Sequence, residues 1–239
     1  MRVYWFVFLL CSCTIHAQPI LSVVTEDWMP YNFINEEGEV VGRATKKVRE
    51  VLEAAQVPYE IRVYPWVRSM KLTQTKANTM IYSIYRTKER ESMFLWACPL
   101  LKPVKEYLFK LRSRDDVKLT SLEDAKKYIT SLVRGSISHE YLRARGFKAD
   151  VNLDLSADPS ASPRKLLARR VDFIITTEYT AYEMMKGLGK PYELLEIVYE
   201  VKNADERSAC MAFNKNTDPH IIERVRKALV EHNANFVSP

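Results

Sequence analysis

The chain has 239 residues, of which 47% are apolar and 28% are charged, with 6 glycines and 11 prolines. This composition is typical of a folded globular protein and excludes collagen-like, mucin-like and low-complexity chains. The net charge of +6 is the sum of 36 basic and 30 acidic residues that are interspersed, without the long basic run of a nucleic-acid-binding chain. We therefore expect one large domain or two smaller lobes and no nucleic-acid partner.

The first seventeen residues have the pattern of an export signal. Arg2 precedes an apolar stretch at residues 3–10, and small and polar residues follow it up to Ala17. The stretch is too short to cross a bilayer, which takes about 20 apolar residues. We expect cleavage after Ala17 and a mature protein in the periplasm. Two alternatives remain open, namely lipidation of Cys13 in a lipobox-like run at residues 10–13, and an uncleaved anchor.

Export changes the interpretation of the cysteines. Only Cys98 and Cys210 remain in the mature chain, and they lie in a compartment that permits disulfides. Both a single bridge and two buried free thiols agree with the sequence. Neither cysteine belongs to a CxxC pair, and His139, His220 and His232 have no metal-ligand spacing, so we expect no metal site and no cofactor.

The chain after residue 19 shows two runs in which strand and helix patterns alternate. In the first run, hydrophobic periodicity predicts strands at 20–25, 59–64 and 79–84 and helices at 43–57 and 66–75, followed by a charged turn at 86–91. A proline-marked crossing at 98–103 leads to the second run. Its predicted strands are 106–111, 129–133, 151–155 and 171–176, with an extended segment at 192–201. Its predicted helices are 121–127, 138–145, 162–169 and 177–187.

The end of the chain returns to the first run through a strand at 208–214 and a helix at 220–231. The helix at 162–169 is expected to begin with Ser162 as N-cap and Pro163 as its first residue. Strands separated by helices favour parallel sheets, so the predicted fold class is α/β. We expect two lobes joined near Pro99 and Asn203, with a ligand cleft between them. Lobe one would contain residues 18–102 and 204–239, and lobe two residues 103–203.

Four short segments of the mature chain resemble motifs of one protein family. They are Asp27-Trp28-Met29-Pro30-Tyr31 followed by Gly38-Glu39-Val40-Val41-Gly42, Pro65-Trp66-Val67-Arg68, Ser83 to Arg90 ending in Thr87-Lys88-Glu89-Arg90, and Val133-Arg134-Gly135-Ser136 with Arg169-Arg170-Val171-Asp172. In order and spacing they resemble the family 3 solute-binding proteins of bacterial ABC importers, the polar amino-acid-binding type. The resemblance covers nearly the whole mature chain. It implies a type II periplasmic binding fold that closes by hinge motion on a small solute.

The resemblance also implies a site. Arg90 occupies the position of an arginine that holds the ligand's carboxylate, for which a guanidinium fork is suited; a surface arginine at a helix start is the alternative. Ser83, at the end of its strand, and Ser136, in a glycine turn, are candidate ligand contacts or ordinary turn and capping residues. Arg68 is a further candidate for anion binding, or a solvated helix residue.

Aromatic residues cluster at the predicted strand ends that would face the cleft, where they could stack on a ligand. They are Trp28, Tyr31, Trp66, Tyr82 and Tyr85, and we expect at least two of them to be core residues instead.

The departures from the family pattern concern the ligand's amine. Thr177 stands where the family carries an Asp that pairs with the ammonium, and Tyr85 stands where a serine often helps. Glu178 is adjacent to Thr177 but would point elsewhere. These departures suggest an anionic solute without a free amine, or a larger aromatic or peptide-like compound.

The sequence thus predicts a monomeric periplasmic binding protein for a small polar, carboxylate-bearing solute, an amino acid or a related compound, with the permease of an ABC importer as its membrane partner. The alternatives are a sensor that presents its ligand to a membrane receptor, and a dehydratase-like enzyme using carboxylates such as Glu26, Asp27 and Glu178. We expect no enzyme, because no nucleophile, metal or phosphate-binding motif is present. The candidate ligand-binding residues are Asp27, Trp28, Tyr31, Trp66, Arg68, Ser83, Tyr85, Arg90, Ser136, Thr177 and Glu178.

Overall fold

A computed structural model describes residues 20–201 and 208–235. The predicted signal segment at 1–17, including Cys13, and the second crossing near Asn203 lie outside the described residues. The strands are β1 Leu21–Thr25, β2 Phe33–Ile34, β3 Val40–Val41, β4 Tyr59–Val63, β5 Thr79–Tyr85, β6 Leu95–Leu101, β7 Glu106–Leu111, β8 Thr130–Val133, β9 Leu153–Ser156, β10 Phe173–Thr176, β11 Leu195–Val201 and β12 Ala209–Phe213. The helices are α1 Arg43–Ala54, α2 Trp66–Thr75, α3 Lys88–Glu91, α4 Ile137–Ala144, α5 Ala161–Leu167, α6 Glu178–Gly187 and α7 Pro219–Asn235, with 3₁₀ turns at Glu123–Lys127 and Tyr192–Leu194.

These strands form two five-stranded sheets, which confirms the predicted α/β class. The first sheet has the order β4-β1-β5-β12-β6, in which β1 is parallel to β4 and β5 while β12 is antiparallel to both neighbours. The second has the order β11-β7-β10-β8-β9, in which β8 is parallel to β9 and β10 while β7 is antiparallel to β10 and β11. We call the part built on the first sheet lobe one and the part built on the second sheet lobe two.

Helices cover both faces of the first sheet and enclose its central strand, β5. α1 repeats buried residues at helical spacing, such as Val48, Val51 and Leu52, and packs with α7 against one face of the sheet. Trp66 of α2 belongs to the separate core on the other face. The first six residues of β5 are buried as a consequence, as expected for a strand enclosed on both sides. Lobe two likewise has two apolar cores, one on each face of its sheet.

A disulfide joins the two strands of lobe one that flank lobe two in the chain. Cys98 lies on β6 and Cys210 on the neighbouring strand β12, and their Cα atoms are 4.7 Å apart. The sequence left a bridge and two free thiols open, and the structure contains the bridge. All of lobe two lies within the loop that this bridge closes.

Several element boundaries differ from the sequence predictions. The expected turn at 86–91 contains the short helix α3, and β6 continues through Pro99 to Leu101 where a crossing was expected. α5 begins at Ala161, so Ser162 lies inside the helix and is not its N-cap. The Ser162 hydroxyl instead shares a hydrogen bond with the hydroxyl of Ser131 at 2.9 Å. The segment at 121–127 forms a 3₁₀ turn, and the hairpin β2–β3 was not predicted. Within the described ranges, no helix combines the length and apolar character that a bilayer crossing requires.

Candidate functional site

A cavity lies between the two lobes and is lined by both. Lobe one contributes residues that follow β1 or end β5, and lobe two contributes residues from the ends of β8 and β10. The carboxyl ends of parallel strands are where ligands bind in open α/β sheets. The lining residues are Glu26, Trp28, Trp66, Ser83, Tyr85, Arg90, Glu106, Leu132, Val133, Ser136, Ile137, Ser138, Pro159, Ser162, Ile174, Ile175, Thr176, Thr180 and Met184.

Arg90 is the central charged residue of this cavity. Thr87 caps α3 by accepting a hydrogen bond from the backbone N–H of Arg90. This bond fixes the backbone from which the Arg90 side chain extends. The side chain is only 2% exposed and reaches into lobe two, where Nη2 donates to the carbonyl oxygen of Gly135 at 3.1 Å and to Oε1 of Glu140 at 2.8 Å. Its Nε is buried without a hydrogen-bond partner in the described part of the chain. A buried donor without a partner is costly, so this edge of the guanidinium is suited to an anionic ligand group.

Trp66 meets lobe two at the same carbonyl. It is the first residue of α2, and its Nε1 donates to the Gly135 oxygen at 2.6 Å, while the Arg90 guanidinium lies 5.1 Å from the centre of the indole ring. Gly135 has a φ of +75°, and a Cβ there would come within 3.3 Å of the indole. The glycine thus permits both the turn and the close approach of the two lobes.

Ser83 is held in an unusual conformation beside Arg90. Its φ is +61°, and it lies where the pairing of β5 with β12 shifts register, so it is the extra residue of a bulge. Its hydroxyl donates to Oδ1 of Asn32 at 2.6 Å, and Nδ2 of Asn32 donates to the backbone oxygen of Glu26 at 2.8 Å. Left-handed backbone in a residue other than glycine is strained and is characteristic of functional sites.

Two glutamates line the cavity in addition to the predicted residues. Glu26 directly follows β1 and is half-buried, and burial raises its pKa to about 8, with Arg90 opposing and Asp27 and Glu106 adding to the rise. Glu106 is the first residue of β7 and accepts a hydrogen bond from the hydroxyl of Ser138. The sequence motifs indicate Glu26 only as an enzymatic acid and do not indicate Glu106, although both are acidic residues at strand ends.

Three of the candidate aromatic residues line the cavity, namely Trp28, Trp66 and Tyr85. Trp28 packs on Tyr31 with ring centres 4.4 Å apart and on Tyr85 at 6.3 Å. Tyr31 supports this cluster from behind, with its hydroxyl near Thr177 of lobe two. Tyr82 is fully buried in the lobe-one core, as expected for some of the five.

Ser136 and Thr177 both serve as helix caps in lobe two. The Ser136 hydroxyl accepts from the backbone N–H of His139 at 3.2 Å at the start of α4, and Ser136 also lines the cavity. Thr177 caps α6 by accepting from the N–H of Thr180 at 3.0 Å, and its hydroxyl donates to that of Thr180. Thr177 itself is buried beside the cavity and not among its lining residues.

Three candidate residues lie outside the cavity; for Arg68 and Glu178 this agrees with the alternatives that the sequence left open, whereas the position of Asp27 was not expected. Arg68 is exposed and its guanidinium lies 4.3 Å from the ring centre of Tyr64, outside the cavity. Glu178 is exposed on α6 and accepts a hydrogen bond from the hydroxyl of Tyr192, because the first turn of α6 directs it away. Asp27 lines a neighbouring cavity instead. The carboxylates Glu26 and Glu178 are therefore not assembled as an acid–base pair, and the described residues contain no cluster of metal-binding side chains.

Comparison with known proteins agrees with this architecture. Residues 20–235 match the family described as bacterial extracellular solute-binding proteins, family 3. A comparison with curated protein sequences finds no significant match.

Solved structures with the same fold include a histidine kinase sensor domain with similarity to periplasmic binding proteins, at 20% identity and a TM-score of 0.80 over 92% of each chain. An ancestral arginine-binding protein bound to arginine has 21% identity and a TM-score of 0.79, over 92% of this chain and 95% of the other. The arginine-, lysine-, histidine-binding protein ArtJ from Geobacillus stearothermophilus has 20% identity and a TM-score of 0.75, over 91% and 90%.

The two-sheet fold, the cavity between the lobes and the family match over residues 20–235 agree with one another. The chain belongs to the bacterial extracellular solute-binding proteins of family 3.

Proposed function

We propose that this protein is a periplasmic solute-binding protein that closes on a small polar solute and delivers it to the permease of an ABC importer. The observation that carries the proposal is Arg90, a buried arginine in a cavity between two lobes with an unpartnered Nε. In this proposal the free edge of the guanidinium holds a carboxylate of the solute. Trp28, Trp66 and Tyr85 supply apolar surface around the remainder of the molecule.

The composition of the cavity suits a small-molecule ligand. Ser83, Ser136 and Ser138 line it together with Arg90, among apolar and aromatic side chains. A small number of polar groups in a mostly apolar pocket is the usual composition of a small-molecule site. Hinge closure would bring the lobe-two groups onto a solute already bound to lobe one, and the closed form would be the signal to the membrane partner.

The test is ligand binding by the mature protein and by Arg90→Ala, measured by isothermal titration calorimetry and thermal shift against amino acids, dicarboxylates, aromatic acids and short peptides. Loss of charge-assisted hydrogen bonds worth about 1.5–3 kcal/mol corresponds to a loss of affinity of roughly tenfold to a hundredfold. Arg68→Ala is the matched control, because Arg68 is an exposed arginine of the same lobe outside the cavity. Unchanged affinity in a folded Arg90→Ala protein would contradict the assignment, as would the absence of any ligand in the panel.

A second function has some support from the fold. The similarity to a histidine kinase sensor domain favours a protein that presents its closed, solute-bound form to a membrane receptor. Uptake of the labelled solute by cells with and without this protein separates the two functions. Uptake that depends on the protein supports the importer, whereas unchanged uptake with a protein-dependent signalling response supports the receptor.

A further inference from the structure

Glu140 is the one acidic residue described here that forms an ion pair with the buried arginine of the cavity. It lies on α4 of lobe two, 50 positions along the chain from Arg90, and its Oε1 is 2.8 Å from the arginine Nη2. The Arg90 side chain is 2% exposed, whereas that of Glu140 is 32% exposed. The charge that would hold a solute carboxylate is therefore already shared with a carboxylate of the opposite lobe.

The cavity contains more acid than base. Among its described lining residues, Arg90 is the only basic one, while Glu26 and Glu106 are both acidic. With Glu140, the site combines one guanidinium with two carboxylates, Glu106 and Glu140, and with Glu26, which is mostly protonated at neutral pH. A solute with one carboxylate can still use the free Nε edge, but a second negative charge would lie close to these carboxylates, where like charges weaken binding strongly.

The raised pKa of Glu26 shows that burial at this position of the cavity opposes a negative charge. Its pKa is raised to about 8, chiefly because burial disfavours the ionised form, and the nearby Arg90 does not offset that effect. At neutral pH, a carboxyl group in this position therefore keeps its proton for the most part. Burial would oppose a second carboxylate on a solute in the same way. A neutral group does not meet this cost, and for a cationic group the attraction to Glu106 and Glu140 counters it.

We propose that Glu140 is a positioning residue that acts through Arg90 to set the charge of the accepted solute, so that the cavity takes solutes with one carboxylate and a neutral or cationic second group and discriminates against dicarboxylates. The inference rests on the proposed function, since it concerns the solute that Arg90 holds. It reverses the expectation, drawn from Thr177, of an anionic solute without an amine. The carboxylates that favour a cationic group come from residues that the sequence motifs do not include.

The experiment compares pairs of compounds that differ in the second group while their length stays similar. The pairs are glutamine and glutamate, asparagine and aspartate, 4-aminobutyrate and succinate, and lysine and 2-aminoadipate. Dissociation constants are measured by calorimetry for the mature wild-type protein, for Glu140→Gln and for the control Glu183→Gln. Glu183 is a lobe-two glutamate whose ion pair with Lys186 stays within its own helix.

We expect the wild type to bind the neutral or cationic member of a pair at least tenfold more tightly than the acidic member. Glu140→Gln should reduce that preference about tenfold, while Glu183→Gln should leave it unchanged. Glutamine keeps a hydrogen-bond acceptor for Arg90, so the substitution removes charge and not the contact. If Glu140 had only a structural role, Glu140→Gln would weaken the binding of both members of a pair alike, and the ratio of their dissociation constants would not change.

Two results would overturn the inference while the proposed function stands. One is tighter binding of the acidic members by the wild type, and the other is a Glu140→Gln preference within twofold of the wild-type value. If the wild type binds none of these compounds but binds an aromatic acid or a short peptide of the wider panel, the inference is contradicted and the proposed function stands. If it binds nothing in either panel, both are contradicted.

Discussion

The disulfide between Cys98 and Cys210 should account for a large share of the stability of this protein. The two residues are 112 positions apart, and the bridge joins neighbouring strands of lobe one. In the chain-entropy description, closing a loop of ~100 residues stabilises the folded state by about 4.7 kcal/mol. The free energy of unfolding of native proteins is about 5–15 kcal/mol, so the loss of the bridge should remove roughly a third of it or more.

The prediction concerns Cys98→Ala/Cys210→Ala in the mature protein, compared with the oxidised wild type by urea unfolding. Tryptophan fluorescence is a suitable probe, because Trp28, Trp66 and Trp96 of the described chain all lie in lobe one. We expect the unfolding midpoint to fall by an amount that corresponds to several kcal/mol. Wild-type protein treated with a reducing agent should behave like the double variant.

The single variants distinguish the cross-link from the burial of the side chains. Either substitution alone breaks the bridge, so both single variants should be destabilised about as much as the double variant. Additive losses would instead indicate that packing of the buried Cys210 matters more than the cross-link. A loss below about 1 kcal/mol in all three variants would refute the entropic reasoning.

Two further predictions concern the pH dependence and the backbone. Because the pKa of Glu26 is about 8 in the folded protein and near 4.5 in an unfolded chain, its contribution to stability should be complete below pH 4.5 and decline as pH rises towards 8. Melting temperatures of wild type and Glu26→Gln between pH 4.5 and 8.5 check this, and equal slopes would contradict it. Gly42→Ala should be markedly destabilised, because φ is +118° and a Cβ would lie 2.3 Å from the Tyr31 carbonyl oxygen. Gly38→Ala is the control, since φ is +81° there but the space is open, and equal losses of melting temperature would refute the role of the close approach.

The fold was predictable from the sequence wherever burial repeats with a regular period. The predicted bounds of α2 and β7 agree with the structure at both ends, because each element has a continuous pattern that ends at polar or proline-containing segments. The hairpin β2–β3 has two residues in each strand, which is too short for any period to appear. Pro99 suggested the end of a strand, yet β6 is the edge strand of its sheet, where a missing N–H is tolerated.

The site was predictable only in the part that local motifs describe. Arg90 and Ser136 belong to short segments that resemble family motifs, and both line the cavity. Glu106 and Glu140 lie outside those motifs. Their relation to Arg90 depends on how the two lobes meet, and the lobes bring together residues that are far apart in the chain. Charge balance in a cleft is a property of the assembled lobes, and no pattern of a single strand or helix encodes it.

Under the proposed function, the contacts at Gly135 would connect the selection of a solute with the closure of the lobes. Its carbonyl oxygen accepts hydrogen bonds from both Trp66 and Arg90, and the side chain of Arg90 also reaches Glu140. All these contacts link lobe one to lobe two, so they depend on the lobes lying together as they do in this structure. A solute that draws the guanidinium away from Glu140 or Gly135 would weaken the contacts that hold the lobes together. A solute that uses only the free Nε edge would leave them in place. Under the proposed function, the same atoms would therefore favour solutes that bind Arg90 without displacing its lobe-two partners, and closure would itself contribute to specificity.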